Sequence, residues 1–352
     1  MEFKLEVPII QGGMGIGVSL GRLAGNVALC GGMGVISTVN AGYLESDFET
    51  NPVEANLRAL RNEIHKAFEI AKGKGKVAIN QMVAVNHYEE SVREAVKAGI
   101  NAVISGAGLP LELPKYTKDT PTAAAPIVSS GKAAAVIMKS WDRHYGVAPD
   151  FIVIEGVKAG GHLGFAKDDV LNNTTEPLEK ILKDVLEKPE PYKQKYGRDI
   201  PVFVAGGVFD GKDMAHFTNL GAAGVQMATR FIATEECDAS DAFKRRIVEA
   251  TKDEVAIVQS PVGLPGRALN EGIIKKLSNG EVFPPVRCND CLKTCPHGSK
   301  APYCISRALI EAVKGNISEG LVFCGENVER VKSITTVREL MEELVNEWRK
   351  AK

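Results

Sequence analysis

The chain has 352 residues, enough apolar material for one large domain with an extension. Its 43 Lys and Arg nearly balance 44 Asp and Glu, and a net charge of -1 gives no electrostatic reason to expect a nucleic-acid partner. No apolar run approaches the roughly 20 residues needed to span a bilayer, and MEFKLEVPII lacks a signal-peptide pattern, so a cytoplasmic protein with no membrane partner is expected.

Short apolar, β-branched runs predict strands at 7–10, 34–38, 77–80, 102–105, 125–128, 151–155, 201–205 and 224–228. Helical patterns alternate with most of them, at 20–30, 54–72, 88–99, 132–146, 178–188 and 211–221. Eight nearly continuous apolar strands alternating with helices predict an α/β fold of the TIM-type (β/α)8 barrel class. The rival is an open doubly wound sheet. GGMGIG after the first strand loosely resembles a dinucleotide fingerprint, but no acidic residue follows the second strand to hold a ribose. The division expected is a barrel over 1–234 and a mostly helical extension over 235–352 that carries a cysteine cluster. The chain closes on the pattern of a terminal amphipathic helix, with its charges on a solvated face.

In such a barrel the functional residues follow the C-terminal ends of strands. QGGMGIG (11–17), Asn80-Gln81-Met82, SGAGLP (105–110), AGGHLG after the sixth strand, AGGV (205–208) and the ATR of 228–230 all fall there. His162 ends a glycine-rich turn, where an imidazole is a candidate acid or base near neutral pH. Gly160 and Gly161 remove side chains just before it, which lets backbone pass close to a flat ligand. After strands seven and eight, Gly206, Gly207 and the hydroxyl of Thr229 suit a phosphate, and Asp210-Gly211 opens a helix whose N-terminus favours an anion. Ser129 and Ser130 are candidates for the substrate mouth. Arg267 is either an anion contact or a structural ion-pair partner. His65, His87, His144 and His216 read as surface or capping residues.

PIIQGGMGIG, VAINQMV, SGAGLP, IEGVKAGGHLG, VFVAGGV and GVQMATRF, in that order, resemble the FMN-binding barrel of the nitronate monooxygenase and 2-nitropropane dioxygenase superfamily. That superfamily includes the flavin-type enoyl-acyl-carrier-protein reductases. The resemblance implies FMN across the strand ends, with Gly13, Met14, Asn80, Glu155, Gly160 and Gly161 along its ring and ribityl chain. It places Gly206, Gly207, Ala228 and Thr229 at the phosphate and His162 as the catalytic residue. Ala228 departs from the glycine that many relatives carry before the threonine.

Seven cysteines, four of them between 288 and 304, suggest metal or redox use over a disulfide framework. Cys288, Cys291, Cys295 and Cys304 are spaced C-x2-C-x3-C-x8-C, which suits zinc or an iron–sulfur cluster. A [4Fe–4S] cluster is the reading chosen here, since a flavin gains from a one-electron relay. His297, inside that loop, is a candidate ligand or hydrogen-bond donor. Cys30 reads as core on the first helix. SPVGLPGRALN, the cysteine segment and GLVFCGENVERV together resemble the branch that holds the acyl-carrier-protein dehydrogenase/isomerase with FMN and [4Fe–4S].

The reaction expected is oxidation or reduction of the C2–C3 bond of an acyl thioester, on acyl-carrier protein or another carrier. Oxygen or another acceptor, or NAD(P)H in the reductive direction, would exchange electrons with the flavin. The alternative is a nitronate monooxygenase; a flavin-bearing redox sensor is a third reading. A homodimer is common for flavin enzymes of this type.

Overall fold

The computed structural model describes residues 3–284, 288–295 and 301–352. Eleven strands are present among them: β1 Ile9–Gln11, β2 Met33–Ser37, β3 Lys76–Met82, β4 Ala102–Gly106, β5 Ala123–Val128, β6 Ile152–Glu155, β7 Gly161–His162, β8 Val202–Ala205, β9 Gly224–Met227, β10 Val255–Gln259 and β11 Pro265–Leu269. Eight of them, β1 to β6 with β8 and β9, form a closed parallel barrel. It closes where β1 pairs with β9, Ile9 beside Val225 and Gln11 beside Met227. These are the eight expected strands, each within two residues of its expected ends. The open-sheet rival is thereby set aside.

Alternate side chains along each strand point in or out, so one run feeds two cores. Inward, Ile10, Met33, Val35, Ala78, Ile104, Val153 and Phe203 fill the barrel. Outward, residues such as Val77 and Ile79 meet the helices. The end of the barrel away from the strand C-termini is plugged by aromatics: Phe3 stacks on Phe151 with ring centroids 4.1 Å apart and meets Phe203 edge-on at 6.3 Å. The cavity therefore opens at the other end.

The helices form where propensity and capping agree. Helix Gly131–Tyr145 starts at Ser130, whose hydroxyl accepts from the Ala133 amide, and stops at Gly146 in the left-handed region. The helix after β9 is only Thr229–Ile232, so it cannot cover the barrel wall there. The C-terminal helix Val337–Ala351 does so instead. Its Thr336/Glu339 capping box fixes the start, and Leu340, Met341 and Leu344 pack on Ile9, Val27, Met214 and Val225. Arg338, Glu339, Glu342, Arg349 and Lys350 are exposed, whereas Glu343 and Glu347 reach back to the barrel.

The extension carries more strand than its sequence suggests. β10 and β11 make an antiparallel hairpin, and β7, from the loop after β6, adds to it with His162 opposite Gly266. Two polar ties fix the start of this extension to the barrel. Asp238 accepts the amides of Leu20 and Leu23 at 2.8 and 3.2 Å, capping helix Gly21–Leu29, which has no capping side chain of its own. Arg22 answers by donating to the carbonyls of Glu235, Glu236 and Cys237. No helix among the described residues is long and apolar enough to cross a membrane.

Gly34 on β2 is where the barrel and its first helix touch most closely. A Cβ there would lie 1.9 Å from the Ala24 carbonyl oxygen, a backbone atom that cannot swing aside. Gly34→Ala is expected to cost about 3 kcal/mol or more, lowering the melting temperature by about 6 °C or more. A thermal melt within two or so degrees of wild type would contradict this packing.

Candidate active site

The C-terminal strand ends surround one cavity of about 640 Å³, within the range that holds a cofactor or drug-sized ligand. Gly13 and Met14 reach it from the β1 loop, Asn80 from β3, Glu155 from the end of β6, and Gly160, Gly161 and His162 from the turn beyond. Gly206 and Gly207 follow β8, and Ala228 and Thr229 follow β9. The residues expected along a flavin thus line one cavity, joined by Ser129 and Ser130, whereas Gln81, Asp210 and Gly211 lie outside its lining.

The glycines are there for different reasons than the sequence suggests. At Gly160 a Cβ would sit 2.5 Å from the Cys324 carbonyl carbon, so it is the extension's backbone that requires glycine. Gly161 has open space but φ of 73°, and Gly206 and Gly207 have φ of 87° and 118°, a region that favours glycine. The helix opened by Asp210 does not offer the anion site expected of it. Asp210 already accepts the amides of Lys212 and Asp213, Asp213 caps back, and Glu347 takes the Gly211 amide. Three carboxylates occupy that helix end, so it offers no anion site.

His162 is set by the extension. Its Nε2 lies 2.8 Å from Ser260 Oγ, which also accepts the Val262 amide at 3.1 Å. Phe323 packs edge-on against the imidazole with centroids 5.2 Å apart. Burial pushes the imidazole down to about 4, so it is neutral at physiological pH. Glu155 moves the other way: burial pushes its carboxyl up to about 8. Arg267 resolves as structural. It is 6 % exposed, donates to the Val157 and Ala159 carbonyls and faces Glu326 at 3.7 Å, pinning the loop that carries the histidine.

Ser260, Lys158, Phe323 and Asn327 are site residues that the sequence reading missed. Ser260 stands in the quoted SPVGLPGRALN segment, but only pairing of β11 with β7 reveals what it faces. Apolar side chains from the extension also line the cavity: Val262, Leu292, Ile305, Leu309, Leu321 and Phe323.

Cys288, Cys291, Cys295 and Cys304 lie outside the lining of this cavity, and none of them is in a disulfide among the described residues. Cys291 Sγ lies 3.1 Å from Ser306 Oγ. Burial above all pushes its thiol up to about 11, with Cys304, Cys288 and Cys295 close enough to add to the rise. Among the described residues no three His, Cys, Asp or Glu side chains are arranged to hold a metal ion. His297 lies outside the described residues. Cys30 ends its helix half-buried instead of sitting in the core. His65 and His144 are exposed, while His87 and His216 face Glu90 and Glu179 on the surface.

A closed parallel barrel with glycine-rich strand ends and a half-buried histidine lining its cavity is the arrangement of a flavin-dependent oxidoreductase. The nitronate monooxygenase family model matches residues 1–347, and the chain belongs to that family. It is 28% identical over 276 residues to the (3aS,4S,5R,7aS)-5-hydroxy-7a-methyl-1-oxo-octahydro-1H-indene-4-carboxyl-CoA dehydrogenase of Mycobacterium tuberculosis, covering 78% of this chain and 66% of that enzyme's length. A probable nitronate monooxygenase of Staphylococcus saprophyticus is 25% identical over 298 residues, covering 78% of this chain and 79% of the relative. The solved structure of FabK from Thermotoga maritima superposes with a TM-score of 0.73 at 25% identity, covering 98% of this chain and 94% of that one.

The Glu155 carboxyl has a measurable signature in the flavin-free protein. The folded chain keeps its proton up to about pH 8, whereas the unfolded chain releases it near 4.5, so this group's contribution to stability is lost as pH rises between the two. Glu155→Gln has no proton to lose. Its melting temperature relative to wild type is expected to rise from about pH 4.5 to 8 and to show no such gain below. A difference that stays constant with pH would refute the burial of this carboxyl.

Proposed function

We propose that the chain oxidises or reduces the C2–C3 bond of an acyl thioester, with FMN in the cavity and His162 as the acid/base. The observation that carries this reading is the apolar lobe lined by Val262, Leu292, Ile305, Leu309, Leu321 and Phe323 in the same cavity as the histidine. An acyl chain gains about 0.8 kcal/mol per buried methylene, whereas a small nitronate has no use for such a lobe. The relative that acts on a carboxyl-CoA supports the same substrate class.

The residues present fit a flavin: the cavity has the volume, and its strand-end loops present backbone bare of side chains. Gly13, Met14, Asn80, Glu155, Gly160 and Gly161 would hold the ring and ribityl chain, and Gly206, Gly207, Ala228 and Thr229 the phosphate. Bound there, FMN supplies the acceptor or donor of a hydride. In the oxidative direction neutral His162 takes the C2 proton, the C2–H electron pair becomes the second bond of the alkene, and hydride leaves C3. In the reductive direction His162 returns the proton to C2. Ser260 supports both states. With one lone pair on the Val262 amide, it accepts Nε2–H through the other, whether the imidazole is neutral or protonated. Nδ1 is left as the nitrogen that exchanges the proton.

Oxygen or another acceptor would reoxidise the flavin, and NAD(P)H would reduce it in the reductive direction. The thioester carrier is acyl-carrier protein or coenzyme A. For the four cysteines we propose a [4Fe–4S] cluster, with zinc as the alternative, on their spacing alone; no step of the reaction is assigned to it. The family and its staphylococcal relatives favour a second reading, oxidation of an alkyl nitronate with oxygen, in which His162 would deprotonate or orient the substrate.

Anaerobic addition of a medium-chain saturated acyl thioester is expected to bleach the flavin, and His162→Ala to slow this by roughly 10²–10⁴-fold. A flavin left oxidised by the thioester but reduced by propyl nitronate would establish the second reading instead. Protonation disables the base, so kcat/KM is expected to hold at neutral pH and fall through about pH 4. A midpoint at the ordinary imidazole value would mean that His162 is not buried as described. Protein purified without air should contain iron and acid-labile sulfide; stoichiometric zinc without iron would remove the cluster.

A further inference from the structure

Two cationic side chains line the cavity, Lys158 and Arg230, and they are differently committed. Arg230 holds both carboxylate oxygens of Glu343 at 3.0 and 3.2 Å and donates to the Phe209 carbonyl at 3.2 Å. Among the described residues Lys158 has one loose ion pair, its Nζ 3.7 Å from Glu326. That carboxylate is shared, because Arg267 faces it at the same 3.7 Å. Glu326 is thus shared by two cations, and the buried Arg267 guanidinium is fixed by two carbonyls, whereas Lys158, which also acts on Glu179, is on a flexible stem.

The position of Lys158 matters as much as its charge. Its stem lies beside the glycine turn after β8, with Cδ and Cβ 3.3 and 3.4 Å from where a side chain on Gly207 would begin. Its backbone is held as well: the Lys158 carbonyl accepts the Glu326 amide at 3.2 Å. The next segment of the extension closes the same corner. Gly325 donates to Thr229 Oγ1 at 2.9 Å, and Asn327 Nδ2 donates to the Gly207 carbonyl at 2.9 Å. The Lys158 side chain, 54% exposed, thus stands at the rim where the two strand-end loops meet, its stem lying along the glycine turn.

We propose that Lys158 is a phosphate-binding residue at this corner of the cavity. Resting on the flavin and thioester reading above, the phosphate has two possible sources of one chemistry: the cofactor itself or the diphosphate of a coenzyme A thioester. A strongly hydrated point charge on a flexible stem suits either, since it needs no bidentate geometry. The rest of the corner is backbone amide, the Thr229 hydroxyl and the Asn327 carboxamide, none of which carries a full charge.

The test uses Lys158→Met, which keeps the stem beside Gly207 and deletes the charge, with Lys158→Arg as the rescue. Flavin-free protein is titrated with FMN and with riboflavin by fluorescence quenching. The reconstituted enzyme is then titrated with octanoyl-CoA and with octanoyl-pantetheine, which lacks the diphosphate. If the cofactor is the source, Lys158→Met weakens FMN about tenfold, leaves riboflavin unchanged, and Lys158→Arg recovers most of the loss. If the thioester is the source, the same selective loss falls on octanoyl-CoA, with octanoyl-pantetheine unchanged. Equal weakening of the phosphorylated and unphosphorylated member of both pairs, or no weakening of any, overturns the proposal. Wild-type protein that binds neither flavin defeats the flavin reading itself, and that result is separate from any difference between variants.

Discussion

The site depends on the buried guanidinium of Arg267 and the strand pairing it accompanies. β11 brings Gly266 opposite His162 and Arg267 opposite Gly161, while the Arg267 side chain holds the carbonyls of Val157 and Ala159. A loop of glycines has little side-chain packing to fix it, and left alone it would sample many conformations. Here its carbonyls are satisfied by a charged donor, and its end becomes a strand. The histidine is thereby locked beside the cavity, and the turn that carries Ser260 is brought to it. Breaking a buried charged donor from its acceptors typically costs several kcal/mol, which makes this clamp a firm anchor.

The same arrangement explains why the extension is inseparable from the chemistry. The barrel contributes the floor and glycine-rich loops; the extension contributes Ser260, Phe323 and the apolar lobe. The extension is also tied back at its start by Asp238 and Arg22, and its last helix covers the barrel wall that the short Thr229–Ile232 helix leaves bare. Burial then sets the two titratable groups apart. A histidine driven neutral and a carboxyl kept protonated lie in one cavity, each moved by desolvation in the direction that removes its charge.

Much of this was legible in the sequence, for definite reasons. Parallel strands buried on both faces read as continuous apolar runs, and eight of them alternating with amphipathic helices admit few topologies. Because such a barrel gathers its strand ends, residues as distant as Gly13, Asn80, His162 and Thr229 could be assigned to one cavity. The short hairpin β10–β11 was harder to see. VAIVQ and PGRAL are weak strand signals, and their pairing with two residues of a distant loop is a long-range contact with no local period. The anion site assigned to the helix after Asp210 failed because capping is a tertiary matter as well: Glu347, far along the chain, reaches the same helix end.

The amino-acid sequence by itself determined the barrel, which follows from periodicity, while the expectation of a flavin and of a role for His162 came from motifs that resemble a known family. Only the tertiary structure decided what surrounds that histidine. Its neutral state, its serine partner and the apolar lobe beside it come from residues about 100 or more positions away, such as Ser260 and Phe323. The physical reason is that desolvation and hydrogen bonding depend on what fills space around a group, and sequence spacing does not record that.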